Sequence, residues 1–495
     1  MPILTPGRRW QPIYYPFRRE KIINSIINNL ELLYKGPLWG CRQCGNCLLQ
    51  ETAFICPMGC PKGLRNGPCG GSNPERCYVD KTHPCIWYKI YERSFKMGRE
   101  EHLMEVLPPL DWKLVGGEQL GGLFRQVRVV SPGKIVSGIL SKDGKKRSET
   151  IEHIFRPVRQ PDWWQGDSEY HAPMYSEPAS ELERRLKSGE FVVTAELQPP
   201  QTASTKKLAS NIELIKPYVT AINFTDGASA SARMSSWACS AIAVQHGAEP
   251  VLQIASRDTT RNGLQSGAIG ANGLGINNML CLTGDSNCLS SGPWGRMDIV
   301  DLDSIQMLWI LRRMRDEGKL LDGREMKFPP KYFLGAAASP FASHPKFQAL
   351  REHKKVNAGA QFFQTNVIFE TERLEIWLNE LAKRGVLEKV YIIAGIAPLR
   401  SLKVARMMKE RVPGVLIPDA IIQRMEAADS AGNAAEEGVL IALELIEKIQ
   451  HLQGFHGIHL MTVGWEDIVP RIVREAGLLP KSPTKYATEE TRLLE

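Results

Sequence analysis

Between residues 191 and 463, apolar and polar positions follow a regular beat. Eight short apolar runs recur: FVVTAEL from 191, TAINFTD from 220, PVLQIAS from 250, NMLCLTGD from 278, YFLGAAA from 332, FFQTNV from 362, KVYIIAGIAP from 389 and IHLMTV from 458. Segments with helical spacing separate most of them, for instance DSIQMLWILRRMRDEG and ERLEIWLNELAKRG. Strand-length runs alternating with helices predict βα units around a parallel sheet. Eight such units fit a (β/α)8 barrel in count and size. A doubly wound sheet is the alternative, but no G-x-G-x-x-G follows any of the runs.

The front of the chain has a different texture. Ile22, Ile23, Ile26, Ile27, Leu30 and Leu33 give residues 15–35 the spacing of one amphipathic helix. VVSPGKIVSGIL, 129–140, reads as strand–turn–strand, and HAPMYSEPAS, 171–180, reads as a linker. The expected fold class is therefore an α/β TIM barrel preceded by a cysteine-rich α+β domain. The expected divisions are 1–175 for the cysteine-rich metal-cluster domain, 181–480 for the barrel and 484–495 for a polar tail.

Charge reinforces the division. The 495 residues carry a net +8. The first hundred hold 15 Lys/Arg against 7 Asp/Glu, so they account for all of it and the remainder balances. A basic front face suits an acidic protein partner or an anionic cofactor. Trp10, Tyr14, Tyr15 and Phe17 lie among these basic residues, but no nucleic-acid module accompanies them, so no nucleic-acid partner is expected. No apolar run reaches the ~18 residues of a membrane span. The opening MPILTPGRRWQPIYYPFRRE has no apolar signal core, so a cytoplasmic location is expected.

Eight of the 11 cysteines fall between 41 and 85: Cys41, Cys44, Cys47, Cys56, Cys60, Cys69, Cys77 and Cys85. Disulfides belong to exported domains, so reduced thiolates holding metal are the better reading. Cys41, Cys44 and Cys47 stand at successive two-residue gaps, which suits an iron–sulfur cubane better than a zinc knuckle. Cys56 precedes Pro57, as the last cysteine of a ferredoxin run precedes proline, though after a longer gap. Cys60, Cys69, Cys77 and Cys85 form a second set among glycines. One or two 4Fe–4S clusters are expected, with zinc as the alternative for the second set. Cys239, Cys281 and Cys288 read as buried structural thiols.

A barrel places its chemistry at the carboxyl ends of its strands. Glu196 ends the first run, Thr225 and Asp226 the second, and Asp285 the fourth. Gln364 and Asn366 lie within and at the end of the sixth. A carboxylate left partly dry at such an end favours its protonated form, as acid catalysis requires.

AELQPP, FTDGASA, RMSSWACSAIAVQHGAEPVLQIASRD, LGINNMLCLTGD, VDLDS, KKVNAGAQFFQTNVIFE and GIAP occur in this order. The set, spanning about 190–470, resembles the methylenetetrahydrofolate reductase family. CGNC, CPMGCPKGLRNGPCGG and PCIWYKIYERS resemble the cysteine-rich metal-binding subunit found beside that reductase in acetogenic and related anaerobic bacteria.

The resemblance implies a (β/α)8 barrel carrying FAD. It also implies reduction of 5,10-methylenetetrahydrofolate to 5-methyltetrahydrofolate, or the reverse. Glu196 stands where the family has its general acid, and Asp285 where it has an aspartate beside flavin and folate. Thr225 matches a flavin contact, and Gln253 stands where some members have histidine. Arg257, Asp258, Leu302, Asp303, Ala337 and Lys355 align with flavin-shell positions. Asn366 stands where many members have a folate-binding glutamine, and Gln364 is a candidate to share that task. Leu402 replaces an aromatic residue near the substrate. Electrons are expected from reduced ferredoxin or a partner oxidoreductase subunit, or from NAD(P)H, and an oligomer or larger complex is expected. The alternatives are an electron-transfer subunit without folate chemistry, and a zinc-dependent methyltransferase-like barrel built on Cys281 and Cys288.

Overall fold

The computed structural model describes residues 35–115, 160–285, 300–341, 344–412 and 414–480, with positions 33, 137, 141 and 143. Eight parallel strands close into a barrel in sequence order. They are β1 (Val192–Leu197), β2 (Ala221–Phe224), β3 (Pro250–Ala255), β4 (Asn278–Leu282), β5 (Phe333–Ala338), β6 (Phe362–Val367), β7 (Tyr391–Ile396) and β8 (Gly457–Leu460). Seven lie inside the apolar runs, and β8 starts one residue ahead of its run. Pairing of β1 with β8 completes the ring, with Val192 opposite Gly457.

Twelve helices carry labels here: α1 (Ile86–Lys96), α2 (Glu181–Lys187), α3 (Lys206–Ile215), α4 (Ser236–Gln245), α5 (Arg261–Gly273), α6 (Ser304–Asp316), α7 (Pro345–Asn357), α8 (Glu372–Lys383), α9 (Leu402–Arg411), α10 (Asp419–Ser430), α11 (Ala434–His451) and α12 (Val469–Glu475). From α3 onward they follow the strands as the outer layer, one after each strand except β7, which three (α9, α10 and α11) follow.

Side chains alternate across each strand, so every second residue faces the barrel axis. At the bottom these are apolar: Val192, Ala221, Val251, Leu280, Phe333, Phe362 and Ile393, with Leu182 and Leu186 of α2 packed beneath them. Full burial is worth roughly 1.5–3 kcal/mol for each such leucine. Phe333 and Phe362 stack with centroids 4.7 Å apart. The space they need explains Gly335, where an added Cβ would lie 2.2 Å from the Phe362 ring. One layer higher the axis turns polar, with Thr194, Asn223, Gln253, Gln364 and His459 all buried. The opposite parity, for example Val193, Ala195 and Leu197, joins the main core beneath the helices.

Among the described residues, the front segment holds α1, a helical turn at 35–39, short 3-10 turns at Pro57–Gly59 and Glu100–Leu103, and no strand. Most of the expected helix over 15–35 lies outside the described residues. So does the expected strand–turn–strand, except Ser137, which is helical. The expected linker, 171–180, has no regular structure and ends at Ser180, whose side chain caps α2.

The front segment is docked on the barrel. Trp87, Tyr88, Ile90 and Tyr91 of α1 form one apolar cluster with Leu350 of α7. Gln348 of α7 donates to the Tyr88 hydroxyl at 2.8 Å, and Trp112 donates to Asp301 at 3.1 Å. Among the described residues no helix is long and apolar enough to cross a membrane.

Candidate active site at the barrel mouth

The polar layer continues upward into a cavity of about 350 Å³ at the carboxyl ends of the strands. Glu196, Thr225, Asp226, Asp285, Gln364 and Asn366 line it, as the strand-end rule predicts, and so do Gln253, Ala337 and Lys355, which the resemblance pointed to. Glu196 is the sixth residue of its run and shares the inward parity of Val192 and Thr194. Its Oε2 accepts from Gln253 Nε2 at 3.4 Å and lies 3.8 Å from His459 Nε2.

Asp285 is held on both oxygens. Oδ1 accepts from the Tyr78 hydroxyl at 3.1 Å, and Oδ2 from the Ser229 amide at 2.9 Å. The β2 loop is bent to make the second bond, because Gly227 and Ser229 have φ of 56° and 57°. At Gly227 an added Cβ would meet the Arg257 guanidinium at 2.4 Å, so the loop requires glycine. Asp226 also lines the cavity; its Oδ2 accepts from the Ala255 amide at 2.9 Å, and burial pushes its carboxyl above the ordinary range.

Five expected site residues stand behind this wall rather than in it. Arg257 pairs with Asp258 at 2.6 Å and donates to the Asp285 carbonyl at 3.2 Å, bracing the β4 loop from outside. Leu302 is buried in the main core. Asp303 caps α6, and its other oxygen accepts from Asn66 Nδ2 at 2.9 Å. Leu402 opens α9 and is partly buried against the barrel core. Gln364 lines the cavity, but both ends of its amide are engaged inside the barrel by Asn223 and Thr194.

Among the lining residues that the sequence did not single out, four carry titratable side chains: Lys62, Tyr78, Arg351 and His459. Two left a signal. His459 has inward parity on β8, and Arg351 lies one turn before Lys355 on α7. Lys62 and Tyr78 come from irregular front-segment loops with no period to read. Lys62 donates to the Gly284 carbonyl at 2.8 Å.

Two lining residues each carry a buried polar atom without a partner: Thr225 Oγ1 and Arg351 Nη1. Arg351 is only 5% exposed. Buried polar groups are normally satisfied, so atoms like these suit a site whose ligand completes them. Lys355 is fully buried and donates to the Ala337 carbonyl; burial holds its ammonium well below its usual pKa. An arriving anion would favour the charged form. Donors left open in this way suit a ligand that brings hydrogen-bond acceptors.

The front thiols sort into two neighbourhoods by electrostatic contact. Cys47 and Cys56 each feel Cys41 and Cys44, while Cys60 feels Cys69 and Cys85, and Cys85 feels Cys69 and Cys77. These are the two sets read from the spacing. Burial pushes Cys47 and Cys85 up to about 11 and Cys56 and Cys60 up to about 12. Such thiols need a bound cation to ionise at neutral pH. Among the described residues no group of three or more His, Cys, Asp or Glu side chains is arranged to hold a single metal ion. A cubane's ligands, by contrast, bind different irons and need not converge on one point. The buried Arg65 guanidinium lies beside Cys44, Cys47 and Cys56, where it would balance thiolate charge. Cys69, from the second set, lines the barrel cavity. Cys239 and Cys281 are buried, as expected, and Cys288 lies outside the described residues.

The fold and site define a (β/α)8 barrel whose mouth is lined by both acidic and basic side chains. The family described as methylenetetrahydrofolate reductase matches residues 181–477, more than half of the chain. The chain belongs to that family. A second description, Methylene-tetrahydrofolate reductase C terminal, matches residues 22–113. Methylenetetrahydrofolate reductase 2 of Schizosaccharomyces pombe is 32% identical over 133 residues, which is 26% of this chain and 21% of the relative. The match thus spans about a fifth of that curated relative's length. An uncharacterized protein from Clostridium thermocellum, which binds two copies of 5-methyl-5,6,7,8-tetrahydrofolic acid, matches with a TM-score of 0.44 and 16% identity, over 60% of this chain and 97% of that one. A 2,3-dimethylmalate lyase matches with a TM-score of 0.34 and 10% identity, over 65% and 94% of the two chains.

Proposed function

We propose that the chain interconverts 5,10-methylenetetrahydrofolate and 5-methyltetrahydrofolate at the barrel mouth, using FAD. The observation that carries this is the convergence of Glu196, Asp285, Thr225 and Arg351 on one cavity, in a chain of this family. FAD, if held there in its reduced form, would be the source of hydride for the methylene carbon. Thr225 Oγ1 and Arg351 Nη1 are the partners waiting for the cofactor, with Lys355 and Lys62 adding positive charge.

The chain's own residues do the rest. Glu196 gives its proton to the ring nitrogen released when the methylene bridge opens, so the bridge becomes a methyl group once hydride arrives. Asp285, pinned on both oxygens, holds its carboxyl group in a fixed orientation against the reacting rings. Gln253 holds Glu196 from the side, and Asn366 faces the folate from β6. Holding both reactants in one orientation supplies much of the rate.

The front segment is the proposed route by which electrons arrive. Cys41, Cys44, Cys47 and Cys56 would hold a 4Fe–4S cluster; Cys60, Cys69, Cys77 and Cys85 would hold a second, since no three of them converge on one point as a single zinc ion requires. Clusters of this kind pass single electrons. The second set borders the cavity through Cys69, and the +8 front half suits an acidic donor such as ferredoxin. Iron, zinc and flavin analysis of protein purified without oxygen tests the cofactors: eight irons mean two clusters, and four irons with one zinc mean a mixed domain. Turnover with reduced ferredoxin, NADH and NADPH tests the donor, and fast NADH turnover that survives loss of the metal would sink the route.

A further inference from the structure

Beneath Glu196 lies a buried chain of hydrogen bonds that the reaction above does not use. It runs across the barrel axis through β2, β6, β1 and β8. Asn223 Nδ2 donates to Gln364 Oε1 at 2.6 Å. Gln364 Nε2 donates back to Asn223 Oδ1 at 3.1 Å and to Thr194 Oγ1 at 3.2 Å. Thr194 Oγ1 lies 2.9 Å from His459 Nδ1. His459 is 1% exposed, and its other nitrogen faces Glu196 Oε2 at 3.8 Å.

Counting protons along this chain fixes the histidine. An amide nitrogen can only donate, so Thr194 Oγ1 must accept from Gln364. The hydroxyl still has one hydrogen to give. Its two candidate acceptors are His459 Nδ1 at 2.9 Å and the Ile458 carbonyl at 3.5 Å. The short contact wins, because hydroxyl bonds near 3.5 Å are weak. His459 Nδ1 is then an acceptor, and the ring proton sits on Nε2, pointed at Glu196.

Two N–H donors therefore approach the same carboxyl oxygen. Gln253 Nε2 and His459 Nε2 both face Oε2 of Glu196. An oxygen that accepts from Gln253 at 3.4 Å and faces a second N–H at 3.8 Å is the one on which negative charge is favoured, so a proton sits better on Oε1. We infer that Thr194, backed by Gln364 and Asn223, locks His459 as the Nε2–H tautomer, and that His459 with Gln253 makes Oε1 the oxygen of Glu196 that carries the transferable proton. His459 and Thr194 are thus positioning residues, acting through Glu196. The inference rests on the proposed role of Glu196 only for its effect on turnover; the tautomer stands on the hydrogen bonds alone.

Nitrogen-15 NMR of histidine-labelled full-length protein, with a His459→Gln sample to assign the signal, reads the ring directly. The expected result is a protonated Nε2 and an unprotonated, hydrogen-bonded Nδ1 near neutral pH. A protonated Nδ1, alone or as an imidazolium, overturns the inference. Thr194→Val should populate the Nδ1–H form and lower kcat about tenfold, a fraction of what general acid catalysis supplies, with KM little changed. Thr194→Ser should recover the wild-type ring signal and the lost turnover. Unchanged kcat in Thr194→Val overturns the positioning role. Should Thr194→Val fail to fold, the wild-type spectrum and the serine variant still decide. A chain with the expected ring signal but no folate turnover would refute the proposed reaction and leave the tautomer standing.

Discussion

The Tyr78 hydroxyl donates to Asp285 Oδ1 at 3.1 Å, joining residues 207 positions apart in sequence. Burial first, and then the carboxylate itself, push the phenol above its usual pKa, so it remains a donor at any working pH. The cysteine-rich segment therefore contributes a group to the barrel's own site. A charge-assisted bond of this kind is worth roughly 1.5–3 kcal/mol, so Tyr78→Phe should slow turnover about tenfold or more. Steady-state kinetics check this, and wild-type kcat and KM in the variant would refute the role of Tyr78.

Arg351 is the residue whose free valence points to a cofactor. It lines the cavity, and its Nη1 is buried without a partner. Arg351→Met keeps the apolar stem and removes the donor. Flavin affinity should fall by about one to two orders of magnitude, as expected for one charge-assisted bond to an anion. Titration of the apoprotein with FAD, followed by flavin fluorescence, measures it.

Lys354 predicts a pH effect on stability. Burial is the main cause that lowers its ammonium to about 7, against opposing pulls from Asp303 and Glu105. Unfolded, a lysine titrates near ~10.4. Between those values the unfolded chain binds one more proton than the folded chain, so this group favours folding increasingly as pH rises. Lys354→Met removes that dependence. The variant's Tm relative to wild type should be highest near pH 7 and decline towards pH 8.5. A difference that does not change with pH would contradict the assignment.

Gly335 tests the packing of the barrel floor. An alanine there would place a methyl 2.2 Å from the Phe362 ring. Overpacking of this kind costs about 1–3 kcal/mol, and Gly335→Ala should lower Tm by several degrees in thermal unfolding.

The barrel was legible because its signal is repeated. Each strand is short, apolar and followed by a helix, and β8 alone begins outside its run. The rim residues were legible for the same reason: Glu196, Thr225, Asp285 and Asn366 end strands, and strand ends are where a barrel keeps its chemistry. Parity was the unused lever. Applied to IHLMTV, it puts His459 on the axis beside Thr194 of β1. Of the positions taken from the resemblance, Asp303 caps a helix and Leu302 lies in the core. Tyr78 and Lys62 had no periodic context at all; only docking of the front segment brings them to the cavity.

The most direct measurement mixes the anaerobic, FAD-loaded chain, its flavin reduced in advance, with 5,10-methylenetetrahydrofolate. The account predicts rapid flavin reoxidation, one 5-methyltetrahydrofolate formed per flavin, and near-complete loss of both in Glu196→Gln while the flavin stays bound. Reduced flavin that persists in the presence of the folate, or a Glu196→Gln variant that reoxidises at the wild-type rate, would contradict it.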